Sequence, residues 1–220
     1  MEVELKYLID DRRKVPEIFR EQAVVTRAEG REVRKIPMHA VYYDTREHAL
    51  TKQHIAFRVR KEGDQQVATV KWGGGSEHGM HRRGEKNIPM PADGSTPDMA
   101  LLKGDDIWEM IGPIVEEHAL IPLMTMDFMR LEVELREGET RCMLSADLGE
   151  IIVGANKSTI PGFSEETIEG VNQAIIQEME IELICGEEKI LRQIGEEIAG
   201  KFDLRPCDIS KFQRGFALIR

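Results

Sequence analysis

The chain has 220 residues, 41% of them hydrophobic, and a formal net charge of −10. That length allows one large domain or two small ones, and the acidic balance argues against a general nucleic-acid-binding surface. The sequence holds no apolar run near the ~20 residues of a membrane-spanning helix. Cys142, Cys185 and Cys207, odd in number and without a CxxC spacing, fit a reducing cytoplasm better than a disulfide framework or a structural zinc site.

The opening "MEVELK" has neither a basic n-region nor an apolar h-region, so no secretory signal is expected. As a strand, "EVELKY" puts Glu2, Glu4 and Lys6 on one face and Val3, Leu5 and Tyr7 on the other. "DDRRKVPEIFREQ" reads as a short amphipathic helix with Pro16 in its first turn. "HAVYYDT" is β-like and closes at Asp44-Thr45, while "IAFRVRKEGD" and "QQVATVKW" form a hairpin about a Gly63-Asp64 turn. The glycine-rich "GGGSEHG" that follows is expected to be a flexible hairpin loop, since it lacks the GxxxxGK[ST] phosphate-loop pattern. It leads to an alternating segment with Arg83, Glu85 and Asn87 on one face.

Residues 98–120 have helical spacing, with a break or kink expected at Gly112-Pro113. "DFMRLEVELREGETRCMLSADLGEIIVG" reads as two long strands joined at "REGE", and the polar stretch 155–170 as a loop with one helical turn. "EMEIEL" alternates Glu178, Glu180 and Glu182 against Met179, Ile181 and Leu183, although its approach "VNQAIIQ" also suits a helix. "EEKILRQIGEEIAGKF" is an amphipathic helix, and "DISKFQRGFALI" a short one with Asp208 as its expected N-cap. No repeat or linker divides the chain, so a single domain over 1–220 is expected.

Roughly eight strands share one design, apolar on one side and ionic on the other. An open sheet with a solvated ionic face would also show it, and its ion pairs would contribute only ~0–1 kcal/mol each. The charges, however, are sorted: acids on the first and last strands, Arg58, Arg60 and Lys71 on the third and fourth. If the sheet closes, these groups line a lumen. Such a lumen makes sense only when it is wet and holds a ligand with both signs of demand, since dry unpaired charge is very costly. A phosphate chain with a divalent metal meets that requirement: Arg and Lys take phosphate oxygens, and carboxylates take the hard cation.

The ordered set "EVELK", "YYDT", "FRVR", "TVK", "RRGEKN", "FMR", "ADLGE", "EMEIEL" and "SKFQRG" resembles the CYTH superfamily, also called triphosphate tunnel metalloenzymes, over nearly the whole chain. "TVKWGGGSEHGMHRRGEKNIP" is most similar to its bacterial inorganic-triphosphatase branch. The resemblance implies an α+β fold, a closed antiparallel eight-stranded β-barrel forming a tunnel with flanking helices, and Mg²⁺ or Mn²⁺ with a triphosphate inside. It implies metal ligation by Glu2, Glu4, Asp147, Glu180 and Glu182, and phosphate binding by Lys6, Arg58, Arg60, Lys71, Arg83, Arg130 and Lys211. Glu2, Glu4 and Lys6 would be catalytic, with Lys6 serving either water activation or phosphate binding. Glu85 and Glu178 are further candidates, Glu178 because it shares the face of Glu180 and Glu182. Glu132 and Glu134 match no metal motif and are expected to pair with arginines.

The implied activity is metal-dependent hydrolysis of the terminal phosphoanhydride of inorganic triphosphate, and of nucleoside triphosphates as a wider range. The rivals are a class IV adenylyl cyclase, a thiamine triphosphatase and a non-catalytic polyphosphate-binding module. The expected partner is a small-molecule triphosphate, with no nucleic acid and no membrane, in a cytoplasmic protein; a homodimer is the base-rate expectation. His78 and His81, spaced HxxH, are expected to be incidental, and Ser145 and Ser210 show no His/Asp partners in sequence. Met124, Met126 and Met129 are expected to be packing residues.

Overall fold

The alternation read along each strand becomes a closed wall. The computed structural model describes residues 1–91, 97, 99–116, 119–154 and 172–219. Eight strands, β1 (Glu2–Leu8), β2 (Arg34–Thr45), β3 (Ile55–Glu62), β4 (Gln65–Glu77), β5 (Met80–Met90), β6 (Leu120–Glu137), β7 (Thr140–Val153) and β8 (Asn172–Cys185), pair in the order β5-β4-β3-β2-β6-β7-β8-β1. β1 also pairs with β5, Glu2 opposite Arg83, so the sheet closes and every pairing is antiparallel. A two-residue β9 (Arg205–Pro206) adds to the end of β1.

Because side chains alternate, the register decides what faces inward. Ala56 opposes Lys71 and Arg58 opposes Thr69, which puts Arg58, Arg60 and Lys71 on one face. Lys6 opposes Glu180, Glu4 opposes Glu182, and Arg130 opposes Asp147. The opposite faces carry the outer core. Val3, Leu5 and Tyr7 pack with Leu144, Met179 and Ile181 under Leu191, Ile194 and Ile198. These last three belong to helix α6 (Glu188–Phe202). A second cluster packs Phe57, Val59 and Val70 under the helices α4 (Met99–Lys103) and α5 (Trp108–Val115). Two short helices, α1 (Lys14–Ile18) and α2 (Gln22–Ala28), and the single turn α3 (Ala49–Lys52) complete this cover.

The third cluster lies inside the barrel. Tyr42, Met124, Met126, Phe128, Ile151 and Ile176 share the parity of the lumen-facing ionic residues and pack against Phe212 and Phe216 of the last helix, α7 (Lys211–Phe216). One end of the lumen is therefore apolar and filled by α7, with Tyr42 and Phe212 ring centroids 5.2 Å apart.

Several local expectations are corrected. β8 begins at Asn172, so "NQAIIQ" is strand and not helix; it pairs with Val153–Leu148 of β7. The helix expected over "DDRRKVPEIFREQ" shrinks to Lys14–Ile18, with a separate α2 beyond it. The break in the helical region falls between α4 and α5, where the Asp105 carboxylate accepts from the Ile107 N–H at 3.0 Å, and α5 runs on through Pro113. "GGGSE" continues β4 through a bulge between Trp72 and Gly75, leaving the turn to His78-Gly79. Ser210 caps α7, in a reciprocal capping box with Gln213. Asp208, the expected cap, instead accepts from the Gly79 N–H at 2.7 Å. The loop expected over 155–170 lies outside the described residues.

Candidate active site

The lumen holds a cavity of about 660 Å³. Of the residues singled out in sequence, Glu2, Glu4, Lys6, Arg58, Arg60, Lys71, Arg83, Glu85, Arg130, Glu180, Glu182 and Lys211 all border it, whereas Asp147 and Glu178 lie behind it, both fully buried. Seven lysines and arginines face five glutamates across this cavity, a cationic surplus inside a chain of net negative charge, while Arg82 at its border turns to Glu188 of α6.

The charges are not evenly matched within the lumen. At the inner end, against α7, Asp147 takes a two-pronged contact from Arg130 (2.7 Å at both oxygens) and Lys211 at 2.8 Å. Glu180 accepts from Arg130 and Lys211, each at 2.9 Å, and from Lys6. Burial alone would lower the pKa of Lys6 and Lys211, but the surrounding carboxylates win and raise both, so each stays a cation. Oxygens of Asp147, Glu178 and Glu180 lie within 4.8 Å of one another, yet this group is already balanced by basic side chains.

Towards β3 and β4 the surplus is positive. Arg58 is buried, and its Nη1 donates to the Tyr42 hydroxyl at 3.2 Å while Nε has no partner among the described residues. Burial, with Arg58 and Arg130 nearby, pushes the Arg60 pKa down despite its contact with Glu62 (2.6 Å). Arginines that repel one another in a cavity are short of an anion.

Along β1, β5 and the far part of β8 the surplus is negative. Glu2 is held by Lys71 and Arg83, each at 2.7 Å, and Glu4 by Arg83 at 2.8 Å. Lys71, 2.5 Å from Glu85, outweighs the effect of burial and holds that carboxyl at about 2. Among the described residues Glu182 has no cation contact. Burial, then Glu2 and Glu85, push its carboxyl up to about 7, although its side chain remains open to solvent in the lumen. Glu4 stands opposite Glu182 across the strand pair, and carboxylates so placed offer the hard oxygen donors that a divalent cation takes. A hard divalent cation fits the residues present.

Three lumen or near-lumen residues were not singled out from sequence for the site. Tyr42 and His81 both border the cavity. His81 shares the parity of Arg83 and Glu85, so "HRRGE" already carried that signal. Its Nε2 lies 2.8 Å from the Cys207 carbonyl, and burial lowers its pKa. His78 is exposed, so the two histidines of the HxxH spacing do not converge. Arg214, three residues beyond Lys211 on α7, reaches Glu178. Glu132 and Glu134 pair with Arg34 (2.5 Å) and Arg141 (2.9 Å), as expected.

The CYTH domain model matches residues 1–216. An inorganic triphosphatase of Haemophilus influenzae is 28% identical over 177 residues, which is 80% of this chain. The match spans 44% of that relative, less than half its length. Among solved structures the fold is similar to that of a putative adenylyl cyclase from Hippeastrum, described as having a dominant triphosphatase activity (TM-score 0.65, 17% identity, 99% and 96% of the two chains). It is similar also to a Pyrococcus horikoshii protein (TM-score 0.57, 15% identity, 99% of each chain). A putative adenylate cyclase from Bacillus halodurans shares it too (TM-score 0.53, 17% identity, 98% and 97%). With the family model spanning nearly all of the sequence, and the closed barrel and sorted lumen beside it, the chain belongs to the CYTH domain family.

Proposed function

We propose that the protein is a divalent-metal-dependent triphosphatase that hydrolyses the terminal phosphoanhydride of inorganic triphosphate. The observation that carries this reading is a charged lumen in which, among the described residues, Arg58 has no carboxylate contact and Glu182 no cation contact, each with like charges for neighbours. The similarity to a protein named inorganic triphosphatase supports the choice of substrate.

In this reading Arg58, Arg60, Lys71, Arg83, Arg130 and Lys211 hold phosphate oxygens through charge-assisted hydrogen bonds, and the arginines do so with two-pronged geometry. Glu2, Glu4 and Glu182 would hold Mg²⁺ or Mn²⁺, whereas the carboxylates of Asp147 and Glu180, the other expected ligands, are taken up by Arg130, Lys211 and Lys6. The metal, when bound, supplies Lewis-acid polarisation of the phosphoryl group and a lowered pKa for water. Lys6, kept protonated by Glu180, Glu178 and Glu4, serves as a phosphate ligand and not as a base. Glu2 and Glu4 orient the attacking water; its oxygen bonds to the terminal phosphorus as the bridging P–O bond breaks, giving phosphate and pyrophosphate. Glu85, held ionised by Lys71, fixes that lysine toward the chain of phosphates. A pure anion binder has no need of the unpaired carboxylate at Glu182, which weighs against a non-catalytic module.

The test is phosphate release from tripolyphosphate, ATP and thiamine triphosphate with Mg²⁺ or Mn²⁺, with cyclic AMP followed in the ATP reaction. Fast release from tripolyphosphate alone is expected. Cyclic AMP with pyrophosphate would reassign the nucleophile to a ribose hydroxyl, and binding without turnover would reduce the protein to a binding module.

A further inference from the structure

One buried acid is left over by the chemistry proposed above. Glu178 stands on the inner face of β8, opposite Asp147, and is 0% exposed. It does not border the cavity, yet its carboxylate meets three cations from two separate elements: Lys6 of β1 at 3.0 Å, and Lys211 and Arg214 of α7. Arg214 also donates to the Ile175 carbonyl at 3.3 Å, three residues before Glu178 on the same strand.

The other two acids of this cluster are engaged elsewhere. Asp147 is spanned by Arg130, and Glu180 is shared among Lys6, Lys211 and Arg130. Among the described residues Glu178 alone of the three reaches Arg214. It is thus the group through which both basic side chains of α7 are tied to the barrel wall. The ammonium groups of Lys6 and Lys211 reach the cavity, and Glu178 stands behind them. A lysine has a long stem with much rotamer freedom to lose, so a buried carboxylate behind it sets where its charge is presented.

We infer that Glu178 is a positioning residue: it fixes α7 inside the barrel through Arg214 and aims Lys211 and Lys6 at the inner end of the lumen, where they meet one end of a polyphosphate chain. Glu178, the first glutamate of "EMEIEL", is therefore not a metal ligand, because the cations around it leave a divalent ion no free oxygen. This inference rests on the triphosphate reading for the identity of the anion, but not for the tie between Glu178 and α7.

Calorimetric binding of metal-free tripolyphosphate at fixed ionic strength tests it with the wild type, Glu178→Gln, Lys211→Met and the double variant. Glu178→Gln is expected to weaken binding about tenfold, the scale of a misplaced charge-assisted contact. The double variant is expected to lose less than the sum of the two single losses, since the part of the Glu178 loss that acts through Lys211 is already gone and only the part through Lys6 remains. Arg58→Ala combined with Glu178→Gln is expected to add. Additive losses between Glu178 and Lys211, or unchanged affinity in Glu178→Gln, would overturn the inference. Arg214→Met removes the same tie from the helix side and replaces Glu178→Gln should that variant fold poorly. Amide hydrogen exchange of Lys211–Phe216 without ligand provides a second reading: faster exchange is expected in Glu178→Gln and not in Arg58→Ala, and equal protection would overturn the tie. Should the wild type bind no tripolyphosphate, the triphosphate reading falls while the exchange result still decides the role of Glu178.

Discussion

The three glutamates on the inner face of β8 are alike in sequence and differ in surroundings. Glu178 is enclosed by basic groups, Glu180 is shared between them and the lumen, and Glu182 has acids for neighbours. The last has a consequence for pH. With a folded pKa of about 7 against an ordinary 4.5, Glu182 keeps a proton in the folded chain that the unfolded chain has already released. Stability therefore falls as pH rises through that window and levels off above it. Solvent in the lumen reaches the carboxyl, so the slope is shallower than for a sealed group. Glu85, held at about 2, contributes with the opposite sign and at lower pH. In thermal melts of metal-free protein, Glu182→Gln is expected to flatten the decline between pH 5 and 7 and to reduce the Mg²⁺-dependent gain at pH 8. An unchanged slope would place the excess negative charge elsewhere. For Arg58, whose guanidinium meets no carboxylate among the described residues, replacement by Ala is expected to raise KM for tripolyphosphate by about 10- to 100-fold, with a smaller effect on kcat. That range follows from a charged hydrogen bond worth about 1.5–3 kcal/mol. Glu4→Gln should instead abolish turnover with the melting curve intact, and steady-state kinetics on both variants separates the two roles.

At the scale of elements, the alternation of apolar and ionic residues was a sufficient guide to strand faces, because a half-buried strand has a period of two that no helix can imitate over six or seven residues. It placed Arg58 and Arg60 on one face of their strand, while setting Lys71 beside them needed the hairpin register as well. It was not a guide to ends. "NQAII" has no clean period, and only its pairing with Val153–Gly149 of β7 makes it strand. Asp208 and Ser210 are equally good caps by composition; the choice was made by Gly79, whose N–H claims the Asp208 carboxylate from another part of the chain. The apolar inner end was also hidden, since Met124, Met126 and Phe128 share their parity with Arg130 and only the insertion of α7 explains them. This helix is short, so its cap matters. Ser210→Ala removes the bond from Gln213 N–H (3.1 Å) and is expected to cost about 1 kcal/mol. Because α7 carries Lys211, the same change is expected to weaken tripolyphosphate binding. Gly215→Ala, whose new Cβ would clash with Met124 and Ile151, should be more damaging in both measures. Chemical denaturation beside binding titrations would order the two.

Closure of the barrel does at the level of the whole molecule what no strand does alone: it converts sorted strand faces into two opposed, mismatched walls. Each wall resists being held near its own kind, so the unliganded lumen opposes the outer core that folds it. An anion at Arg58 and Arg60 and a divalent cation at Glu182 relieve both at once, and each ligand should improve the site for the other. Mg²⁺ with a slowly hydrolysed triphosphate analogue at 100 times its Kd adds about 2.7 kcal/mol to stability. For a chain of 220 residues that corresponds to a melting shift on the order of 5–10 °C. Either ligand alone should give less than its share of that shift, and Glu182→Gln should abolish the synergy while leaving the response to the analogue. A thermal-shift matrix over both concentrations measures it. Additive shifts would mean that the two walls act independently, and that charge sorting across the barrel serves solubility of the lumen and not joint binding.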